Sequence, residues 1–382
     1  MSKKENRPKV LEKTRTLLWM KSGGRCQFDN CNKPLWKHDV TMAKMNKAYI
    51  AHIYAYSPKG PRYQKDLSKE LEVAFENLML VCDECHRIFD DMTRVEEYSA
   101  NRLIKMKQDH EDRIERLTAI HPSKKSHILL YGASIRGQIS PLSYAVASNT
   151  IVPDYYPDED RATTINLQQT TFKDKDETYW TIESQHLISE VQRLLEYKRK
   201  ENGAEHYSVF GLAPIPLLIQ LGCLLSEISN CEVYQLSKEP KTWKWQVKEA
   251  FDGHLVQEPQ SKIANAETNK VVLKIELSAI INDNRIHNVL GDECEIWSIS
   301  HSKPHNDYLK DKSQLEDFKK VMRQTYAMLR QRYGDKRVIH VFPAMPVSTA
   351  IEMGRVRAPK ADLPLTIYDQ NEKEFIKAIE IC

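Results

Sequence analysis

The chain has 382 residues, 41% of them hydrophobic and 29% charged, with a formal net charge of +3. That length allows two or three domains with cores of their own, and the ordinary balance excludes disordered and fibrous classes. No apolar run approaches the roughly 20 residues that span a bilayer, and no apolar signal core follows the basic stretch Met1–Arg7. A cytoplasmic chain with no membrane partner is the expectation.

The charge is unevenly spread. Residues 1–120 carry 23 Lys+Arg against 18 Asp+Glu, and residues 1–25 alone carry eight against two. That is a modest footprint for a polyanion at the N-terminal end.

Residues 10–20 predict a short helix with Leu11, Leu17, Leu18 and Trp19 available for packing. Ser22-Gly23-Gly24 stops it and delivers Cys26. Residues 47–56, rich in Tyr, Ile and Ala, predict a strand or hairpin, broken by Pro58-Lys59-Gly60-Pro61. Phe75–Val81 leads into a second cysteine pair. Residues 94–119 predict a longer helix, with Leu103, Met106, His110, Ile114 and Leu117 near one face. Residues 121–127, around Pro122-Ser123-Lys124-Lys125-Ser126, are expected to be a linker.

Beyond the linker the pattern changes. Strands are expected at 127–132, 206–212, 231–236, 271–279, 294–299 and 337–342, and helices at 184–200, 214–227 and 313–333. Strands alternating with helices predict a mostly parallel sheet. Ile128–Ser134 and Ser208–Pro214 are each a strand running into a loop with glycine, which points to two Rossmann-like halves.

The chemistry is densest between Cys26 and Asp90. Cys26-x4-Cys31 and Cys82-x2-Cys85 are two close pairs in a chain whose compartment disfavours disulfides. Four thiolates on two short knuckles suit one tetrahedral Zn²⁺, and with every position filled by protein the ion is structural. Cys223, Cys231, Cys294 and Cys382 lack such spacing and are expected to be ordinary thiols. Asp90 lies four residues after His86, on the same helix face, so both could reach one cation.

Ala51-His52-Ile53, Glu76-Asn77-Leu78 and Cys82-x2-Cys85-His86-Arg87-Ile88-Phe89-Asp90 together resemble an HNH endonuclease domain with a zinc-binding cysteine quartet. The resemblance covers about residues 15–115. It implies an α+β, ββα-metal domain over 1–120 that hydrolyses double-stranded DNA. In that catalytic set His52 is the general base, Asn77 the positioning residue and His86 a ligand of catalytic Mg²⁺ or a similar divalent ion. Many such domains carry Asp, Glu or His where this chain has Ala51, so Asp90 is the leading candidate for the missing ligand. His38, His110 and His121 are expected to be structural or surface residues.

A second resemblance covers roughly residues 125–382. Tyr207–Leu217, Leu221-Gly222, Val233–Leu236 and Trp243-Lys244-Trp245 are similar, in order, to SAVED domains, the sensor modules of bacterial anti-phage CBASS effectors. It implies an α/β domain over 128–382 built of two fused CARF-like halves that binds a cyclic di- or trinucleotide. It also implies a homo-oligomer, dimeric at rest and more highly assembled when active.

A cyclic nucleotide wants aromatic faces for its bases and cations or backbone N–H groups for its phosphates, at loops beyond strand ends. The candidates are Ser134, Arg136, Tyr156, Trp180, Pro214, Trp243, Lys303 and Pro304, with Phe342–Pro346 offered as a pocket floor. A zinc-stabilised DNA-binding sensor without catalysis is the alternative. A dinucleotide-dependent dehydrogenase is disfavoured, because no G-x-G-x-x-G follows a candidate strand.

Overall fold

A computed structural model describes residues 9–135, 142–166, 177–200, 206–226, 228, 230–246, 254–259, 270–334, 337–371 and 374–382. The chain divides into two compact units, Met1–His121 and Pro122–Cys382. The expected linker 121–127 is shorter than its sequence implied, because a strand already begins at Lys125.

The N-terminal unit opens with α1 (Glu12–Lys21), which stops at Gly23 and Gly24, both in the left-handed region at φ +59° and +66°. That conformation suits glycine, and it turns the chain into the first cysteine knuckle. Strand β1 (Tyr49–His52) is shorter than the expected 47–56. After α2 (Lys65–Glu70) it pairs antiparallel with β2 (Leu78–Val81), His52 opposite Leu78 and Tyr49 opposite Val81. Helix α3 (Asp83–Asp90) follows directly, so the order strand–strand–helix is realised. Helix α4 (Ala100–Thr118), capped by Ser99, buries Leu103, Met106 and His110 as its periodicity predicts, whereas Leu117 is exposed. The core is small: Leu35, Ala51, Ile53, Met79, Leu80, Val81, Phe89 and Leu103 are its centre.

The C-terminal unit holds two sheets. The first is built from β3 (Lys125–Gly132), β4 (Tyr156–Pro157), β5 (Thr163–Asn166), β6 (Tyr207–Leu212) and β7 (Cys231–Tyr234), all parallel in the order β4-β3-β6-β7 with β5 also on β3. Helices α5 (Tyr144–Ile151), α6 (Glu177–Lys200) and α7 (Ile215–Leu224) accompany it. The second sheet comprises β8 (Leu255–Pro259), β9 (Lys270–Glu276), β10 (Cys294–His301), β11 (Ile339–Ala344), β12 (Leu365–Asn371) and β13 (Glu374–Ile381). Helices α8 (Asp283–Leu290), α9 (Lys312–Tyr333) and α10 (Val347–Val356) accompany that sheet. Its order is β13-β12-β11-β9-β10-β8, with β9 to β12 parallel and antiparallel strands at both edges.

The internal repeat lies elsewhere than expected. Ile128–Ser134 and Ser208–Pro214 belong to neighbouring strands of one sheet, Ile128 paired with Ser208 and Leu130 with Phe210. The two halves correspond instead through β6–α7 and β11–α10. Pro214-Ile215 opens α7 as Pro346-Val347 opens α10, and Ile219-x2-Gly222 recurs at the same offset as Ile351-x2-Gly354. The glycines are where the two helices touch. A Cβ on Gly222 would stand 1.9 Å from the Ile351 carbonyl oxygen, and one on Gly354 would stand 2.0 Å from that of Ile219. No side chain fits there, so backbone meets backbone.

One core spans both sheets. It also swallows a carboxyl: Glu183 on α6 is 1% exposed, and neither of its oxygens has a hydrogen-bond partner among the described residues. Burial without compensation pushes its pKa up to about 7.

Candidate functional site

In the N-terminal unit, His52 ends β1 with its Nε2 2.9 Å from the Glu72 carbonyl. A carbonyl only accepts, so Nε2 carries the proton and Nδ1 is the basic nitrogen of this tautomer. The chain leaving His52 is clamped by Asn77. Its Oδ1 accepts from the Tyr54 N–H at 2.7 Å, and its Nδ2 donates to the carbonyls of Tyr54 and Leu71, each at 3.1 Å. Asn77 is 1% exposed. It holds the loop beside His52 and acts through the fold.

His86 projects from the second turn of α3. Its Nε2 lies 3.1 Å from Asp90 Oδ2, and its ring stacks on Tyr49 with centroids 5.3 Å apart. The expected i, i+4 pairing of His86 with Asp90 is present. The other Asp90 oxygen is held by Arg62, whose Nη2 donates to Oδ1 at 3.0 Å. The buried Arg62 guanidinium also donates to the carbonyls of Ile53 at 2.8 Å and Phe89 at 2.6 Å. Arg62 thus ties the residue after His52 to the end of α3. Sequence reasoning missed it, since it lies in a polar stretch with no motif spacing.

His52, His86 and Asp90 do not converge into a set of three mutually close ligand atoms. Among the described residues, only two groups do so within 4.8 Å: His127, Asp158 and Glu159, and the quartet Cys26, Cys31, Cys82 and Cys85. Two donors, His86 and Asp90, still fit a hard cation such as Mg²⁺, which usually keeps several waters and completes its shell with substrate phosphate.

The quartet fits a thiolate-bound metal. Cys31 and Cys82 Sγ are 3.9 Å apart, close to the roughly 3.8 Å edge of a tetrahedron with metal–sulfur bonds of about 2.3 Å. Two of the thiols come from the first knuckle and two from the start of α3, so one ion would staple distant segments across a small core.

In the C-terminal unit a cavity of about 370 Å³ opens beyond the carboxyl ends of the parallel strands. Leu212 follows from β6, Gln235 to Lys238 and Lys241 come after β7, Ser278 after β9, and Met345 to Val347 stand at the start of α10. Open α/β sheets bind ligands at such ends. Its wall is apolar at Leu212, Leu236, Met345 and Val347, and its charged lining among the described residues is Lys238 and Lys241, with no carboxylate. The positive end of the α10 dipole adds to them. Gln235 fixes the arrangement: its Oε1 accepts from Ser348 N at 3.1 Å and Ser348 Oγ at 2.8 Å. Asp307 fixes the lysine loop by accepting from the Lys238 N–H at 2.9 Å. Two lysines and a helix N-terminus beside an apolar wall could take an anion with an apolar part.

A second cavity, about 260 Å³, lies at the opposite ends of β6 and β7. Its charges are already paired, Lys312 with Glu232 at 2.8 Å and Lys319 with Glu316 at 2.9 Å, while the third carboxylate, Glu352, takes Arg355 at 2.7 Å. Burial, aided by Lys312, pulls the pKa of His206 there down to about 4, so that ring is neutral.

The profile of the SAVED family, "SMODS-associated and fused to various effectors sensor domain", matches residues 187–381, just over half of the chain. The chain belongs to the SAVED family. Similar solved structures include the Acinetobacter baumannii Cap4 SAVED/CARF-domain containing receptor with the cyclic trinucleotide 2'3'3'-cAAA. It is 12% identical, with 84% of this chain and 67% of that chain covered and a TM-score of 0.40. The Moraxella osloensis Cap4 receptor is 11% identical, with 84% and 70% covered and a TM-score of 0.41. That likeness is distant. No curated protein matches the sequence.

None of the described ligand candidates lines the cavity of the SAVED unit. Trp180 and Trp243 are core residues, set edge-on to Tyr179 at 5.2 Å and to Phe210 at 5.3 Å. Pro214 is the buried N-cap of α7, and Tyr156 donates its hydroxyl to the Pro122 carbonyl at 2.8 Å. The Ser134 carbonyl accepts from Tyr179 OH at 2.9 Å. Lys303 and Pro304 follow β10 just before Asn306, which does line the cavity, and Arg136 lies outside the described residues. Of the segment offered as a floor, Met345 and Pro346 do line the cavity. Gln235, Lys238, Lys241 and Asn306 were missed; the signal available was that Val233–Leu236 ends a strand and runs into a lysine-bearing turn. Among the described residues no helix is long and apolar enough to cross a membrane.

Proposed function

We propose that this SAVED protein is a DNA endonuclease of a bacterial anti-phage CBASS system, switched on by a cyclic di- or trinucleotide. The observation that carries the reading is the pairing, in one chain, of two sites. One is a cavity with two lysines at the strand ends of a SAVED unit; the other is a unit of two strands and a helix that carries a four-cysteine cluster and presents His52 and the His86–Asp90 pair.

In the cavity, Lys238, Lys241 and the α10 N-terminus take phosphate charge, while Leu212, Leu236 and Met345 cover a base. Binding must favour one assembly over another for the signal to act, and a change from a resting dimer to a higher assembly brings two cutting units to two strands. In the N-terminal unit, Nδ1 of His52 takes the proton of the attacking water, and the Glu72 carbonyl stabilises the charged ring that results. His86 and Asp90 would hold a divalent ion such as Mg²⁺, whose chemistry when bound is to stabilise charge on the phosphate and the leaving oxygen. Asn77 and Arg62 hold the loop between them. The four cysteines would hold Zn²⁺ as a structural staple.

The test is plasmid cleavage by the full-length chain with Mg²⁺ and a panel of cyclic di- and trinucleotides. Cutting is expected with one activator only, abolished by chelator and reduced about 10²–10⁴-fold in His52→Ala. Intact plasmid under every nucleotide would overturn the reading. Lys238→Ala with Lys241→Ala is expected to raise the activator concentration needed about tenfold or more.

The engagement of Asp90 by Arg62, together with Ala51, favours a second reading, a DNA-binding sensor without catalysis. His52→Ala separates the two, since a pure binder loses nothing by it.

A further inference from the structure

The chain between the first knuckle and β1 folds as a small hairpin whose exposed surface the reactions above do not use. Lys47 N–H donates to Leu35 O at 2.8 Å, Met45 N–H to Trp36 O at 3.0 Å and His38 N–H to Ala43 O at 2.9 Å. Lys37 and Lys44 form a bridge pair across it. The tip is tight. His38 Nδ1 accepts from the Val40 and Thr41 N–H groups at 3.3 and 3.1 Å, and Met42 sits in the left-handed region at φ +57°. Leu35, fully buried, anchors the base in the core.

What this hairpin shows to solvent is unusual. Val40 is 84% exposed and Met42 56%, with Trp36 and Met45 also exposed nearby. Ordered apolar side chains in the open mark a contact surface. The charges choose the partner. Lys33 and Lys47 are paired with Glu84 and Asp39, but Lys37 and Lys44 face each other with no carboxylate on either among the described residues. Lys37 lies over the Trp36 ring at 5.0 Å, but like charges directly opposite still destabilise a hairpin, and a dense run of negative charge would reverse that sign. A second copy of the same face would set lysine against lysine; a phosphate backbone would not.

From the placement of these residues we infer that hairpin 35–47 is the element that docks duplex DNA. The Lys37–Lys44 rung lies on phosphates and the Val40–Met42 tip wedges into the minor groove, as apolar side chains of architectural proteins do. The inference rests on the endonuclease reading and supplies its substrate grip. The second leg of the hairpin runs through Ala48 into β1, whose first residue stacks on His86 and whose last is His52. His52 lies eight residues beyond Lys44, at most roughly 28 Å of extended chain and so within one duplex turn of about 34 Å.

The experiment is binding of a fluorescein-labelled duplex to the full-length chain with no Mg²⁺ added and no chelator present, read by anisotropy across a salt series. Lys37→Ala with Lys44→Ala is expected to weaken binding about tenfold and to lower the log–log salt slope by about 2. Val40→Ser with Met42→Ser is expected to weaken binding at unchanged slope. Both pairs lie on the surface, and each should keep the wild-type thermal transition. Wild-type binding by both pairs overturns the inference, as does unchanged DNA binding with altered sedimentation, which would make the hairpin a protein contact. Because withholding Mg²⁺ silences cleavage and leaves the cysteine site loaded, the two readings fail separately. A chain that grips DNA through the hairpin yet never cuts loses only the nuclease reading, and a chain that cuts undiminished with both pairs replaced loses only the hairpin.

Discussion

The two units meet the same requirement, a rigid platform for a site, by opposite means. The N-terminal unit has a two-stranded sheet and a core of modest size around Phe89 and Leu103, and its rigidity comes from polar stitching. The Arg62 guanidinium on the carbonyls of Ile53 and Phe89 and the Asn77 clamp on Tyr54 provide it, and a metal on the cysteine quartet would add to it. The SAVED unit has two sheets that share a large apolar core flanked by smaller clusters, and at its most crowded point it relies on the absence of side chains. A small domain is held by specific bonds and a large one by shape.

That contrast can be broken from either side. The largest effect is expected for Cys82→Ser or for removal of metal by a strong chelator. Structural zinc contributes on the order of 10 kcal/mol to folding, so the transition of the N-terminal unit should vanish in calorimetry while activator binding by the SAVED unit persists. Loss of both together would show that the staple serves the whole chain. Next comes Gly222→Ala, which sets a methyl against a carbonyl that cannot retreat. It should cost about 3 kcal/mol or more and lower only the transition of the SAVED unit.

Asn77→Ala strips partners from three partly buried backbone groups and should cost about 2–3 kcal/mol in the N-terminal transition, with DNA cleavage falling as the His52 loop loosens. The smallest effect belongs to Glu183→Gln. Its carboxyl titrates near 7 folded and 4.5 unfolded, so wild-type stability is intact below pH 4.5 and is lost as pH rises through 7. The variant escapes that loss, so the SAVED unit should gain about 2 kcal/mol at pH 8 and nothing at pH 4. Equal gains at both values would assign the effect to packing.

The same contrast explains what could be read in advance. The thiol quartet, the two strands before α3, and the His86–Asp90 pairing are legible because short spacings encode them. The strands at 206–212 and 294–299 are legible from their apolar runs, and appear at 207–212 and 294–301. Helix α10 is not, because Ser348 through Gly354 are buried all round and no polar stripe betrays a 3.6-residue period. Nor is the cavity. It takes a residue or two from each of several distant segments, and the tryptophans that seemed suited to stacking are needed by the core.

The Gly222–Gly354 crossing has a consequence for how the two halves change over time. Each glycine makes room for a carbonyl of the opposite half, five residues after the proline that opens that helix. Neither helix can accept even a methyl group unless the other gives way, so the pair drifts as one character. Where α10 begins, it lines the cavity with Pro346 and Val347. A ligand that nudges this end works a lever whose fulcrum is bare backbone, with no pliable layer to absorb the stroke before α7 receives it.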